Sequence, residues 1–220
     1  MTLDFATERE EMVERQLRRR GITDPNILDA FRAVPREAFV SQEYAHLAYG
    51  DHPLPIEANQ TISQPYIVGL MIDAAQIKPG DSVLEVGAGS GYAAAVISRI
   101  AARVVAIERQ HELVEVARER LRRLGYANVE IVEGDGTTGW RDGAPYDAIL
   151  AAASGSHVPE SLLAQLAPRG RLVIPLGEPG GAQDLVKVTR QDDGILKQEN
   201  LGAVRFVPLI GEEGWSDAGA

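Results

Sequence analysis

Residues 83–92, Val-Leu-Glu-Val-Gly-Ala-Gly-Ser-Gly-Tyr, join an apolar strand to a glycine turn with a carboxylate, Glu85, between them. Val83, Leu84 and Val86 suit a central parallel strand, and Gly87, Gly89 and Gly91 let the backbone approach a ligand where any Cβ would clash. A helix opening at Tyr92 would aim its free N–H groups at the contents of that turn. This is the chemistry of a nucleotide-type cofactor site. A dinucleotide fingerprint, G-x-G-x-x-G, needs its third glycine beside the pyrophosphate, and here Tyr92 stands in that slot. Glu85 would repel a pyrophosphate but suits a cationic amine. Two more acids fall at strand ends: Glu108 closes Val104–Ile107, where such sheets bind ribose hydroxyls, and Asp135 lies in the segment Glu133-Gly134-Asp135-Gly136. One cofactor lying across the sheet would require acids at successive strand ends.

The elements that position these residues alternate. Strands are expected at 82–86, 103–107, 129–132, 147–152 and 170–175, with helices at 92–101, 111–124 and 159–167 between them. That order implies an α/β fold with a doubly wound, mostly parallel, seven-stranded sheet, Rossmann-like in layout. Asp184–Thr189 and Ile195–Val207 flank the turn Asp192-Asp193-Gly194 and predict a C-terminal antiparallel hairpin. Ahead of the core, residues 5–20 read as a helix stopped by Gly21, Pro25 to Val34 as a second helix, 41–60 as loop, and Thr61–Ala75 as a capped helix. The chain is expected to be a single domain over 1–220: an N-terminal helical region with a substrate loop (1–75), a cofactor-binding core (76–180), C-terminal strands (181–210) and a tail (211–220).

Composition narrows the function further. The chain has no cysteine, and its four histidines lack the i, i+4 pairing of a zinc helix, so no metal is expected. A formal charge of −10 argues against binding nucleic acid through its phosphates. The arginine runs at 18–20 and 118–123 are expected to form solvated faces pairing with Glu14, Glu115 and Glu119. No apolar run long enough for a membrane span and no basic-then-apolar leader is present, which points to a cytoplasmic protein.

The E-x-G-x-G-x-G pattern of residues 85–91 resembles the first motif of the class I S-adenosylmethionine-dependent methyltransferases. A narrower resemblance runs from about residue 8 to 210. Ala33-Val-Pro-Arg-Glu-Ala-Phe-Val40, Asn59-Gln-Thr-Ile-Ser-Gln-Pro-Tyr66, the glycine turn, Gly134-Asp-Gly136 and Val204-Arg-Phe-Val-Pro-Leu209 resemble, in order, the motifs of the protein-L-isoaspartate O-methyltransferases. The resemblance implies S-adenosyl-L-methionine as cofactor and S-adenosyl-L-homocysteine as product. It also implies methylation of the α-carboxylate of isoaspartyl residues in aged proteins and peptides, whose ester collapses to a succinimide. Carried over residue by residue, it places the cofactor on Thr61, Ile62, Glu85, Gly87, Gly89, Ser90, Gly91, Tyr92, Glu108, Arg109, Asp135 and Gly136, with Asp135 accepting from the adenine amine. Substrate falls to Gln60, Thr61 and Ser63, with Ser63 the catalytic residue that orients it. A monomer is expected, with its last strands exchanged relative to other class I methyltransferases.

Two segments depart from the family. Where it commonly reads Leu-Pro-Ile-Gly-x-Gly-Gln, this chain has Leu54-Pro-Ile-Glu-Ala-Asn-Gln60, and where it usually carries Ala-Ala-x-x-x-Ile-Pro, this chain has Ala152-Ala-Ser-Gly-Ser-His-Val-Pro159. These leave two other readings: a carboxyl methyltransferase of the same lineage acting on a different peptide or small acid, or a catalytically silent cofactor-binding protein. In either Thr61 or Ser63 a hydroxyl could instead cap the following helix. Arg205 could pair with Glu212 or Asp217 or steer acidic peptides at the mouth, and His157 reads as a surface histidine.

Overall fold

The computed structural model describes residues 4–217, so the last three residues of the expected tail, like the first three of the chain, lie outside the described residues. The chain opens with α1 (Phe5–Met12), capped by the Asp4 carboxylate, which accepts from the Ala6 and Thr7 amides. The winding then loosens to a π-turn over Val13–Leu17 and tightens to a 3₁₀ turn over Arg18–Arg20 before Gly21 ends it at φ 98°. The expected helix of 5–20 is therefore three successive windings. Next comes α2 (Pro25–Ala33), where Asp24 accepts from the Asn26 amide and Pro25 takes the first turn, as its sequence predicts.

The region before the core differs from expectation. Leu54–Pro55 (β1) and Thr61–Ile62 (β2) form a small antiparallel pair, and α3 starts only at Pro65 and runs to Ala75. A hydroxyl residue shortly before a proline looks locally like a helix start. Pairing with residues 54–55 holds Thr61 and Ile62 extended instead.

The main sheet has seven strands: β3 (Ser82–Val86), β4 (Arg103–Glu108), β5 (Val129–Glu133), β6 (Tyr146–Ala151), β7 (Leu166–Gly177), β8 (Gln183–Arg190) and β9 (Leu196–Val204). Their order is β5-β4-β3-β6-β7-β8-β9, parallel from β5 through β7 and antiparallel for β7–β8 and β8–β9. The last three strands thus follow one another in sequence order. Successive residues of β3 and β4 face opposite sides: Val83, Val104 and Ala106 pack toward α1–α3, α4 (Tyr92–Ser98) and α5 (His111–Leu124), whereas Leu84, Val105 and Ile107 pack toward α6 (Glu160–Ala164). With both faces covered, the central strands read as unbroken apolar runs. Helix α4 ends at Ser98 rather than 101, and α6 is shorter than expected because β7 begins at Leu166 by pairing with Tyr146 and takes over the end of the segment read as helix. The strand order reverses beside β3, between β4 and β6, and ligands in such sheets bind outside the carboxyl ends at that point. No helix among the described residues is long and apolar enough to cross a membrane.

Candidate active site

At the end of β3 the chain turns through Gly87 (φ 89°), Gly89 (φ 52°) and Gly91 (φ 84°), a left-handed path that a side chain would strain at each step. The Gly87 and Ala88 amides both donate to the Ile107 carbonyl, at 2.8 and 3.0 Å, which ties the turn to the end of β4. There Glu108 accepts from the Gly89 amide (2.9 Å) and the Gln110 amide (3.0 Å), so its carboxylate is held at the rim of the turn. Glu85 is only 2 % exposed, and its Oε2 has no hydrogen-bond partner.

A cavity opens over this strand end, and its wall joins Gln60, Thr61, Ile62 and Ser63 to Glu85, Gly87, Gly89, Ser90, Tyr92, Glu108, Arg109 and Gly136. Gly91 and Asp135 are not on that wall. A Cβ at Gly91 would press on Leu121 of α5, so this glycine serves the turn and helix packing. The Tyr92 ring packs edge-on against Phe31 and Phe39 in the core. Asp135 accepts from the Thr137 amide and hydroxyl and from the Glu212 amide (2.7 Å), so its carboxylate holds the C-terminal segment.

Sequence reasoning missed the far wall, formed by Val68, Met71 and Ile72 of α3 and by Phe206–Ile210. The chain leaves the sheet at Val204, earlier than the expected Val207, and the segment that follows is held by two residues of the core, Gln183 and Ser154. The Gln183 amide pairs with both backbone groups of Phe206 (2.6 and 3.1 Å). The Ser154 amide donates to the Val207 carbonyl, and the Ser154 carbonyl accepts from the Leu209 amide and Trp215 Nε1. Arg109, bordering the cavity, pairs with Asp217 at 2.9 Å, while Arg205 is exposed and pairs with neither Glu212 nor Asp217 among the described residues. His157 lies exposed beside the Ser156 hydroxyl.

The loop that brings Gln60–Ser63 to the cavity follows the departing segment 57–59. Ala58 (φ 54°) and Asn59 (φ 57°) are both left-handed, and asparagine tolerates that conformation better than most residues, so Asn59 can stand where the family commonly has glycine. Arg120, which the arginine run suggested was solvated, is buried and donates to the Ser90 carbonyl (3.1 Å) and to Glu57 (2.9 Å). One guanidinium thus links the 57–63 loop to the glycine turn. Arg120→Met is expected to cost about 2–3 kcal/mol, somewhat less than for a fully buried pair because Glu57 is partly exposed. Denaturant titration checks this. Glu57→Gln, which keeps an acceptor, should cost less, and equal stabilities for all three proteins would show that the link contributes nothing.

A family model described as protein-L-isoaspartate(D-aspartate) O-methyltransferase matches residues 7–214. This chain belongs to that family. It is 56 % identical over 207 residues to protein-L-isoaspartate O-methyltransferase 2 of Pelobacter propionicus, covering 94 % of this chain and 92 % of the relative. It is also 56 % identical over 214 residues to the protein-L-isoaspartate O-methyltransferase of Methylorubrum extorquens, covering 97 % and 93 %. Among solved structures, a protein-L-isoaspartate O-methyltransferase superposes with a TM-score of 0.86 at 31 % identity, covering 94 % of this chain and 67 % of that one. A putative family member from Plasmodium falciparum, in complex with S-adenosyl-L-homocysteine, gives 0.79 at 27 % identity, covering 92 % and 98 %.

The family's cofactor is S-adenosylmethionine, and the cavity of this methyltransferase fits it. An ammonium group needs a buried acceptor, and Glu85 Oε2 is one without a partner. Burial first, and the neighbouring Glu108 second, push the Glu85 carboxyl up to about 8, so a cation placed beside it would favour its ionised form. Glu108 and the glycine turn would hold the nucleoside portion.

Proposed function

We propose that this chain transfers the methyl group of S-adenosylmethionine to the α-carboxylate of L-isoaspartyl residues, with Ser63 orienting the carboxylate. What carries the reading is one cavity in which Glu85, the glycine turn and Glu108 face the Gln60–Ser63 loop. The bound cofactor supplies an electrophilic methyl on a sulfonium. The chain's task is then to bring an anion to a cation in line and to exclude water, because their charges cancel in the transition state. A cationic clamp on the acceptor would stabilise the ground state more than that transition state, so neutral donors serve better. Gln60, Thr61 and Ser63 are such donors, and Arg109, the one Lys or Arg on the wall among the described residues, is engaged by Asp217. No general base is required, since an α-carboxylate with a pKa of about 3.5 is ionised at neutral pH.

In this proposal Thr61, Ile62, Ser90 and Gly136 border the cofactor, and Asp135 and Gly91 act by shaping that border. The acceptors are damaged proteins and peptides, for which a net charge of −10 is better suited than for nucleic acid, and the protein works as a cytoplasmic monomer. The test offers methyl-labelled cofactor with matched isoaspartyl and aspartyl peptides. Base-labile label on the isoaspartyl peptide alone is expected. Measurable cofactor binding without transfer to either peptide would overturn the reading, and transfer only to another carboxylate would move it to a different acceptor.

A further inference from the structure

Arg36 is the most deeply enclosed charge in the described structure. It is 0 % exposed, in the 3₁₀ turn Arg36–Phe39, and no carboxylate lies within salt-bridge distance among the described residues. Its Nε donates to the Ala48 carbonyl (2.8 Å), its Nη2 donates to the Ser63 carbonyl (2.8 Å), and its Nη1 has no partner. The guanidinium carbon lies 4.8 Å from the centre of the Tyr92 ring, at the start of the helix after the glycine turn. Burial holds this guanidinium below its ordinary pKa. A cation without a counter-ion, with one donor unsatisfied, is a poor device for stability, and an apolar side chain of similar length would fill the space at less cost. Its retention calls for another explanation.

That explanation lies in what holds Ser63. The residue falls between β2, which ends at Ile62, and α3, which begins at Pro65 with Gln64 as its N-cap and no side-chain cap bond. Neither the ladder nor the helix fixes it. Among the described residues, the bond from Arg36 Nη2 is the hydrogen bond that Ser63 makes. The same planar fork reaches Ala48 in the other direction and lies against Tyr92, so it refers the position of Ser63 both to the N-terminal region and to the helix that follows the cofactor turn.

We infer that Arg36 is a positioning residue for methyl transfer, setting the place of Ser63 relative to the glycine turn through the Ser63 carbonyl. The inference rests on the proposed role of Ser63, and it needs a fork: a lysine retains the charge but cannot serve both carbonyls in fixed directions.

The test is a double-mutant cycle of Arg36→Lys with Ser63→Ala in the full chain, read as kcat on an isoaspartyl peptide, together with amide hydrogen exchange. Arg36→Lys is expected to lower kcat about tenfold when Ser63 is present and less than about twofold when it is alanine, because residues acting through one another are not additive. Affinity for S-adenosylhomocysteine, by calorimetry, should change less than about threefold, far below a full charge-assisted hydrogen bond. Exchange at Ile62–Gln64 should quicken, with the β3 amides of residues 82–86 unchanged. Equal losses of kcat in both backgrounds would make Arg36 a structural residue and overturn the inference, as would unchanged exchange at 62–64. If Ser63→Ala alone keeps full turnover while exchange at 62–64 still quickens in Arg36→Lys, the reading of Ser63 fails and the anchoring by Arg36 stands.

Discussion

Glu85→Gln is expected to bind S-adenosylmethionine about 10- to 100-fold more weakly at pH 8, the worth of one hydrogen bond to a charged group, and to lose the pH dependence of that binding. Parallel pairing on both sides, with β4 and with β6, puts Glu85 in the middle of the sheet and leaves it 2 % exposed. With its carboxyl pushed up to about 8 by burial and then by Glu108, the ligand-free protein carries a neutral side chain at pH 7. Pairing with the cofactor's ammonium needs the carboxylate. Binding below pH 8 must therefore release a proton, and affinity should rise by up to about tenfold per pH unit between pH 6 and 8. Calorimetry in buffers of different ionisation enthalpy reads that proton directly. Glutamine has nothing to release, so its affinity should be flat over the same range.

The same shift has a consequence for folding. Because the folded value lies above the ordinary 4.5, the protonated form is the one the fold favours; its contribution is whole below pH 4.5 and is lost as pH climbs toward 8. Glu85→Gln should then match the wild type in thermal midpoint near pH 4.5 and exceed it at pH 8. A wild-type affinity that does not vary from pH 6 to 8 would remove Glu85 from the ammonium site.

The doubly wound core was legible in the sequence because its physics is local. Strands buried on both faces are apolar runs, and α5 runs from His111 to Leu124 as expected, with its left-handed stop at Gly125. What escaped were features decided by distant partners. Thr61 and Ile62 are extended because Leu54 and Pro55 lie beside them, and β7 starts early because Tyr146 pairs with Leu166. The far wall of the cavity is held by Gln183 and Ser154, and neither residue advertises that task. Arg120 is a different case. It follows Leu113 and Ala117 at the spacing of the buried stripe, so helical periodicity alone separates it from Arg118 and Arg122 on the outer face. The arginine run concealed a signal that was present. Arg36 belongs to the Ala33–Val40 motif that resembles the family's, but its contact with Ser63 spans 27 positions and depends on the fold.

Ser63→Ala should lower turnover on an isoaspartyl peptide about 10- to 100-fold while leaving S-adenosylhomocysteine affinity within about twofold, the signature of a contact made to the acceptor. Ser63 borders the cavity, its hydroxyl makes no hydrogen bond among the described residues, and the N-cap position of the helix after it is Gln64, not Ser63. Removing that oxygen therefore takes away no bond that the fold uses, and the thermal midpoint should not move. A hydroxyl suits the reaction because it directs one carboxylate oxygen at the methyl without fixing the negative charge that must vanish as the C–O bond forms. Replacing it with a cation would test that logic from the other side. Ser63→Lys should lower KM for the peptide and lower kcat further, since tighter binding of the charged ground state is lost in the transition state. Equal falls in kcat and cofactor affinity in Ser63→Ala would instead assign the hydroxyl to the cofactor, and the neutral-donor account of this acceptor loop would then have to rest on Thr61 and Gln60.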